Sequence, residues 1–519
     1  MTESFYLIWR NQYIQRLIRN LVCEDYVINV NNKYLIKNHQ YLSLFTNKDK
    51  LDYNITIRFM GYAVDYFDID KRNRYLINNV DISVDSDVDN IDLNEIHDGV
   101  HKLSLIMGYG TKVTGKLPSS ITYLRLYKNT FDHQPPYAQQ ILSNLPANLQ
   151  ELELGIQRYS ISSPCIMPES LTDISYNTPL YYQNLKWFVV PPNKVYESCM
   201  LYVDSMESFE WLIVNKWICF IEIDANLLNM LMFQHQLPSH VTNIVVSDGI
   251  VQDTSFFPQT LESLYCCYGT LISHLAHLKY LVLVGVHELK LKKGVLPASL
   301  KDLCLDYNHP LEVDVLPPHL TILNLLSYNQ PLGPNVLPPD LTTLWLPSYN
   351  QPLCSNILPS SVTDLDLTSF NQPLGAYVLP QKLKRLRLSE FSQPVLPSHS
   401  LPVSLTSLTI KGFNGSFDQC QPLDNLKELQ IDSLVPSLAT LLVNVEKICL
   451  RANRKVSDPS SIACLYNTSI RSLLIDFYDR TTIYPNTFPP TLKYLTLVNA
   501  VLDSDDVIPS GCVNLTKAL

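Results

Sequence analysis

The chain has 519 residues, 46% of them apolar and 17% charged, too apolar and too weakly charged to stay disordered. Lys+Arg number 39 against 49 Asp+Glu, a formal charge of −10, so the basic footprint of a nucleic-acid binder is absent. With 34 Pro and only 15 Gly, folds that rely on glycine-rich phosphate loops start at a disadvantage.

The N-terminus places Glu3 first and Arg10 inside its apolar run, the reverse of a secretory signal. The best apolar stretch, 217–233, contains Glu222 and Asp224, so no membrane span is expected. The 12 cysteines include no C-x-x-C pair, which suits reduced, structural thiols in a soluble cytoplasmic chain. Residues 4–22 fit an amphipathic α-helix. Trp9, Tyr13, Ile14, Leu17, Ile18 and Leu21 share one face, and Arg10, Gln12, Arg16, Arg19 and Asn20 lie opposite. This helix is expected to cap the first coil of a downstream repeat array, polar side outward.

Through the rest of the chain an L-x-x-L-x-L frame recurs. Its first position falls at Ile77, Val100, Ile121, Leu149, Leu171, Leu185, Ile218, Val241, Leu261 and Leu278, and the spacing does not establish a further coil near Ser198. It becomes regular at Leu300, Leu320, Leu341, Val362, Leu383 and Leu405, and continues at Leu426, Val445, Ile470 and Leu492. In the regular part an aromatic recurs at Tyr307, Tyr328, Tyr349, Phe370, Phe391 and Phe413, at spacings of 21 or 22. A fixed period of about 20–29 residues carrying this pattern marks a leucine-rich-type solenoid of about twenty coils.

The spacing also sets the physics of one coil. Leu344 and Leu346 are two apart, so both enter the core, while Thr343, Trp345 and Pro347 face outward on the concave sheet. Tyr349 and its equivalents are expected to stack along the turn after the strand. The Asn that follows (Asn308, Asn329, Asn350, Asn371) is expected to hydrogen-bond backbone of its own or the next coil. Pro352 and Pro359 lie in one coil, which leaves no room for a convex helix on the return limb. The fold class is thus a β-rich repeat solenoid with coils of about 21 residues, few convex helices and a short N-terminal α-helical cap.

The block Tyr/Phe-Asn-x-Pro-Leu, then Leu-Pro-x-x-Leu-x-x-Leu-x-Leu, as in Tyr328-Asn329-Gln330-Pro331, resembles the FNIP repeat, named for its Phe-Asn-Ile-Pro core. The clean match covers residues 296–415. The opening Phe5-Tyr6-Leu7-Ile8-Trp9 also resembles the start of many family members. The resemblance implies a leucine-rich-repeat-like solenoid and no chemistry. Some relatives carry an F-box, a helical module that recruits a ubiquitin-ligase scaffold. Residues 1–50 are therefore read as a helical cap or an F-box-like remnant, and 51–519 as the solenoid.

Three motifs invite other readings. Gly110 to Leu117 matches a P-loop except that Leu117 replaces the Mg²⁺-ligating Ser/Thr, and Leu117-Pro118 is the repeat's own Leu-Pro pair. His97 and His101, and likewise His274 and His277, have helix-face spacing for a metal but no third ligand. No kinase set, G-x-S-x-G or H-E-x-x-H occurs. No enzyme, cofactor or metal is expected, and neither nucleic acid nor membrane as partner.

The expected function is protein binding through the concave face. Trp345, Asp366 and Arg387 are each 21 apart and should form one row, with Asp364 and Arg385 in the row beside it. A ubiquitin-ligase adaptor and a self-assembling scaffold are the alternatives, and the partner is not named by the residues.

Overall fold

A computed structural model describes residues 11–84, 90–107, 112–128, 136–155, 161–176, 179–285, 290–432, 434–452 and 465–518. The chain divides into two compact units, Met1–Val245 and Val246–Leu519.

The first unit opens with helix Gln12–Val22, whose first free amides, Tyr13 and Ile14, donate to the Asn11 side chain. Strand Val27–Val30 and helices Asn32–Leu42 and Asn47–Asp52 follow. The strand joins the edge of a seven-stranded parallel sheet through Thr56–Tyr62, so these first residues contribute to the sheet as well as to helices. Asn79–Ser83, Lys102–Met107, Tyr123–Lys128, Glu151–Gly155 and Asp173–Tyr176 complete it in sequence order. Val80, Leu103, Leu124, Leu152 and Ile174 pair in register, as the frame predicts, and all are buried.

Two expectations are corrected in this unit. The helix Gln12–Val22 turns its polar side inward: Asn20 is buried, and Arg16 and Arg19 reach toward buried Asp49. Tyr13, Ile18, Leu21 and Val22 face solvent instead. Residues 4–10 of that expected helix, Trp9 and Arg10 among them, lie outside the described residues. The second correction concerns Leu185. It ends the short helix Tyr182–Leu185, and Phe188–Val189 pairs with Cys165–Ile166 in a separate two-stranded ladder. The sheet strand belongs to Ser198 instead, because Tyr196–Val203 sets Leu201 and Val203 opposite Ile221 and Ile223.

In the second unit parallel strands again follow chain order. Leu323, Leu344, Leu365, Leu386 and Leu408 stand opposite one another, at most 2% exposed. Strand Lys447–Ala452 departs from the frame: Leu450, not Ile448, faces Leu429. A slip of two residues keeps every side chain on its own side of the sheet, so both registers bury the same leucines. No helix interrupts residues 290–432, where the paired prolines lie. Where those prolines are missing in the first unit, Met206–Val214 and Ala225–Gln234 are helical.

Three ladders run between successive coils of the second unit. The rings of Tyr328, Tyr349, Phe370 and Phe391 are fully buried and parallel, with centroids 6.3, 6.4 and 6.3 Å apart. Beside them Asn329 Oδ1 accepts from the Asn350 N–H at 2.9 Å and from Gln351 Nε2 at 3.2 Å, and Asn350 does the same for Asn371 and Gln372. The Gln of the repeat thus has a reason: it shares the acceptor that its own coil's backbone uses. A third column, Asp314, Asn335, Asn356, Tyr377 and His399, takes the left-handed conformation with φ between 57° and 64°. Asn, Asp and His adopt it more readily than other non-glycine residues; Tyr377 does not, and its ring stacks on His399 with centroids 4.8 Å apart.

These ladders lead to two expected results. Asn350→Ala removes an acceptor that two donors of the next coil share, with an expected loss of about 1–3 kcal/mol in urea unfolding. An unchanged midpoint would mean that water replaces the side chain. Tyr349→Phe should have the opposite sign. Its hydroxyl is buried without a hydrogen-bond partner, and burial pushes its pKa up to about 12 against the opposing pull of the Leu332 amide. Later coils already carry Phe in this column, so the substitution should be neutral or stabilising by up to about 1 kcal/mol. A loss of that size would instead reveal a true hydrogen bond to Leu332.

Candidate interaction face

The alternation that buries Leu344, Leu365 and Leu386 turns the residues between them to the open side of the sheet. Thr343, Asp364 and Arg385 stand opposite one another, and so do Trp345, Asp366 and Arg387. The row expected from the 21-residue spacing is therefore assembled as predicted. Arg385 Nε lies 2.6 Å from Asp364 Oδ2, and Arg387 Nη1 lies 3.0 Å from Asp366 Oδ2. Asp366 is further fixed by the Thr368 N–H at 3.0 Å and hydroxyl at 2.6 Å. Both guanidinium groups remain largely solvated, so each pair contributes only about 0–1 kcal/mol to folding. Trp345 is 42% exposed beside them. Together these side chains and Ser407 and Thr409 line a shallow concavity of about 260 Å³. Chemically it offers an aromatic surface, two carboxylates held by two cations, and no group poised for proton transfer.

A second concavity, about 440 Å³, lies on the open face of the first unit. Arg58 pairs with Asp81 at 2.7 Å, and Arg125 with Glu153 at 3.1 Å. Glu153 also accepts from Tyr123 and, at 2.9 Å, from Tyr127, whose ring lies under the Arg125 guanidinium. Burial, then the Glu153 carboxylate, pushes the Tyr123 hydroxyl pKa upward. Sequence reading missed this cluster, although the frame from Ile77 to Leu149 already marks positions 81, 123, 125 and 153 as outward. Only Arg58 carried no signal, because its coil precedes the first recognisable frame.

His97 is buried and donates from Nε2 to the Ile77 carbonyl at 3.0 Å, and burial lowers its pKa to about 4. His101 donates from Nδ1 to Ser120 O at 3.0 Å. Both ring nitrogens of His274 are buried without partners. Among the described residues no group of three or more His, Cys, Asp or Glu could hold a metal, and no helix is long and apolar enough to cross a membrane. Gly110 and Thr111 of the P-loop-like segment lie outside the described residues; Leu117 is buried, as the leucine of a Leu-Pro pair would be.

An FNIP Repeat family model matches residues 287–327, 328–370 and 370–413. No curated protein matches the chain. Similar solved structures include CroV588, described as a novel circular LRR protein, at 21% identity, covering 85% of this chain and 66% of that one, with a TM-score of 0.43. This chain thus spans just under two thirds of that protein's length. YopM from Yersinia enterocolitica is similar at 20% identity, covering 83% and 91%, with a TM-score of 0.34. A chain of the mouse RP105/MD-1 complex is similar at 13%, covering 85% and 78%, with a TM-score of 0.35.

Proposed function

For a chain that carries three FNIP repeats wound into a leucine-rich-type parallel solenoid, we propose a non-enzymatic role as a protein-interaction scaffold that binds through its open sheet face. The observation that carries this reading is the row Trp345, Asp366 and Arg387. An exposed indole beside weakly stabilising ion pairs is more than folding requires, and Trp and Arg supply much of the energy of protein interfaces. The setting proposed is cytoplasmic, in keeping with described cysteines that are all free and with thiols such as Cys266, whose pKa burial raises to about 12.

The test is affinity capture from cell extract. Trp345→Ala combined with Arg387→Glu should change unfolding free energy by less than about 1 kcal/mol and weaken capture of the specific partners about tenfold. Equal recovery by the double variant would leave these rows as a solvated face. A second reading, an adaptor docking through its N-terminus, is favoured by the exposed Tyr13, Leu21 and Val22 of helix Gln12–Val22. The same capture separates the two: a partner lost with Tyr13→Ser and Leu21→Ser, but kept by the sheet-face variant, belongs to the helix.

A further inference from the structure

On the open sheet face of the second unit the carboxylates are not treated alike. Asp364 and Asp366 each have an arginine on the next strand. Asp302 has none. Its cross-strand neighbours are Tyr280 on one side and Ile322 on the other, and among the described residues no hydrogen bond or ion pair reaches its side chain. The nearby lysines are engaged elsewhere: Lys279 Nζ lies 2.8 Å from Glu262, and Lys301 donates to the His319 carbonyl at 3.3 Å. The parallel row holds Val282, Cys304, Asn324 and Trp345. There the Asn324 Oδ1 is a buried acceptor with no donor. The patch is therefore largely apolar, and Asp302 and Asn324 both lack a donor.

We propose that this patch receives an extended segment of a partner protein in which a lysine or arginine, flanked by apolar residues, sets its cation on Asp302. The inference rests on the sheet-face reading above and names the partner chemistry for one part of that face. A half-buried carboxylate among apolar side chains is poorly solvated and uncompensated, so a charge-assisted donor gains most there. Burial accordingly raises the Asp302 pKa above the ordinary carboxylate value. Strands are about 4.8 Å apart, and alternate residues of an extended chain are about 6.6 Å apart. A peptide crossing the strands with its basic side chain on Asp302 can thus lay the side chains two residues away on Tyr280 and Ile322. The expected recognition pattern is apolar-x-Lys/Arg-x-apolar.

The probe is a phage-displayed library of random dodecapeptides, selected on the immobilised full-length chain. Selected sequences should be enriched in Lys or Arg with apolar residues two positions away. Synthetic peptides of those sequences should bind about tenfold or more weakly to Asp302→Asn and to Tyr280→Ser chains that melt like the wild type. Their affinity should fall with added salt and stay unchanged in Arg387→Glu. Selection without basic enrichment, an Asp302→Asn chain that binds as tightly, or no selected peptide would each overturn the proposal. If the peptides are lost with Trp345→Ala and Arg387→Glu while Asp302→Asn retains them, the sheet-face reading stands and this inference fails. If they survive every one of these substitutions, both fail.

Discussion

Leu344→Asp is expected to abolish cooperative folding of the regular coils. Leu344 is 0% exposed and faces Leu323 and Leu365 on the neighbouring strands. Among the described residues no cation lies inside this stack of leucines, so an aspartate there must be buried charged without a partner or take up a proton at neutral pH. Either way the lost burial, the cavity and the desolvation add to at least about 4–5 kcal/mol, at the extreme of single substitutions. Urea unfolding and limited proteolysis read the result, with proteolytic sites opening first in the adjoining coils. Trp345→Ala, one residue away on the opposite side of the same strand, is the control and should be nearly silent. Wild-type unfolding of the aspartate variant would show that the core frame is misassigned.

The second large effect is expected at Asp49, in a part of the chain without a clear repeat. Its carboxylate is 3% exposed and accepts from Arg16 Nε at 2.9 Å, Asn20 Nδ2 at 2.5 Å, and the Thr46 N–H and hydroxyl at 3.0 and 2.8 Å. Asp49→Ala strands these donors, Asn20 among them with no access to water, and should cost about 3–5 kcal/mol. Hydrogen exchange across residues 12–22 should accelerate before the rest of the first unit responds. Retained protection of that helix would show that its packing does not depend on the carboxylate. The same group predicts acid sensitivity. Burial alone would raise its pKa, but the hydrogen bonds from Arg16, Thr46 and Asn20 prevail and hold it at about 2, below the unfolded 3.8. A depressed folded pKa means stability that is present above about pH 4 and lost as pH falls toward 2.

The two sites also mark how far the residues alone could be read. Around Leu344 every layer of structure repeats, so one coil predicts the next: core leucines, outward row, stacked rings and Asn acceptors all derive from a spacing of 21. Near Asp49 nothing repeats. Hydrophobic periodicity locates the helix Gln12–Val22 but cannot tell that a carboxylate some thirty residues later claims its polar side, because that pairing is long-range and electrostatic. Leu185 misled for a related reason. A leucine ending a short helix and a phenylalanine on a return strand reproduce the spacing of a sheet strand without being one. The shift at Leu450 was invisible because side-chain parity is the same in either register. Of the open sheet face, the Trp345 row was legible from spacing. So were the cross-strand neighbours of Asp302, Tyr280 and Ile322; that Lys279 and Lys301 turn to Glu262 and the His319 carbonyl instead was not, since side-chain reach carries no period.

The Asn acceptors carry one more consequence. Asn350 holds the coil after it and is held by the coil before it through Asn329, so each link in the chain of side chains is interchangeable with the next. Copying or excising one whole coil leaves every amide with an acceptor and every ring with a neighbour. Inserting or removing part of one would turn leucines outward, or strand an acceptor against a residue that cannot use it. The length of this region is in that sense quantised. The intact coil is the smallest piece that can be added or removed with both ladders unbroken, while the outward rows can change one residue at a time.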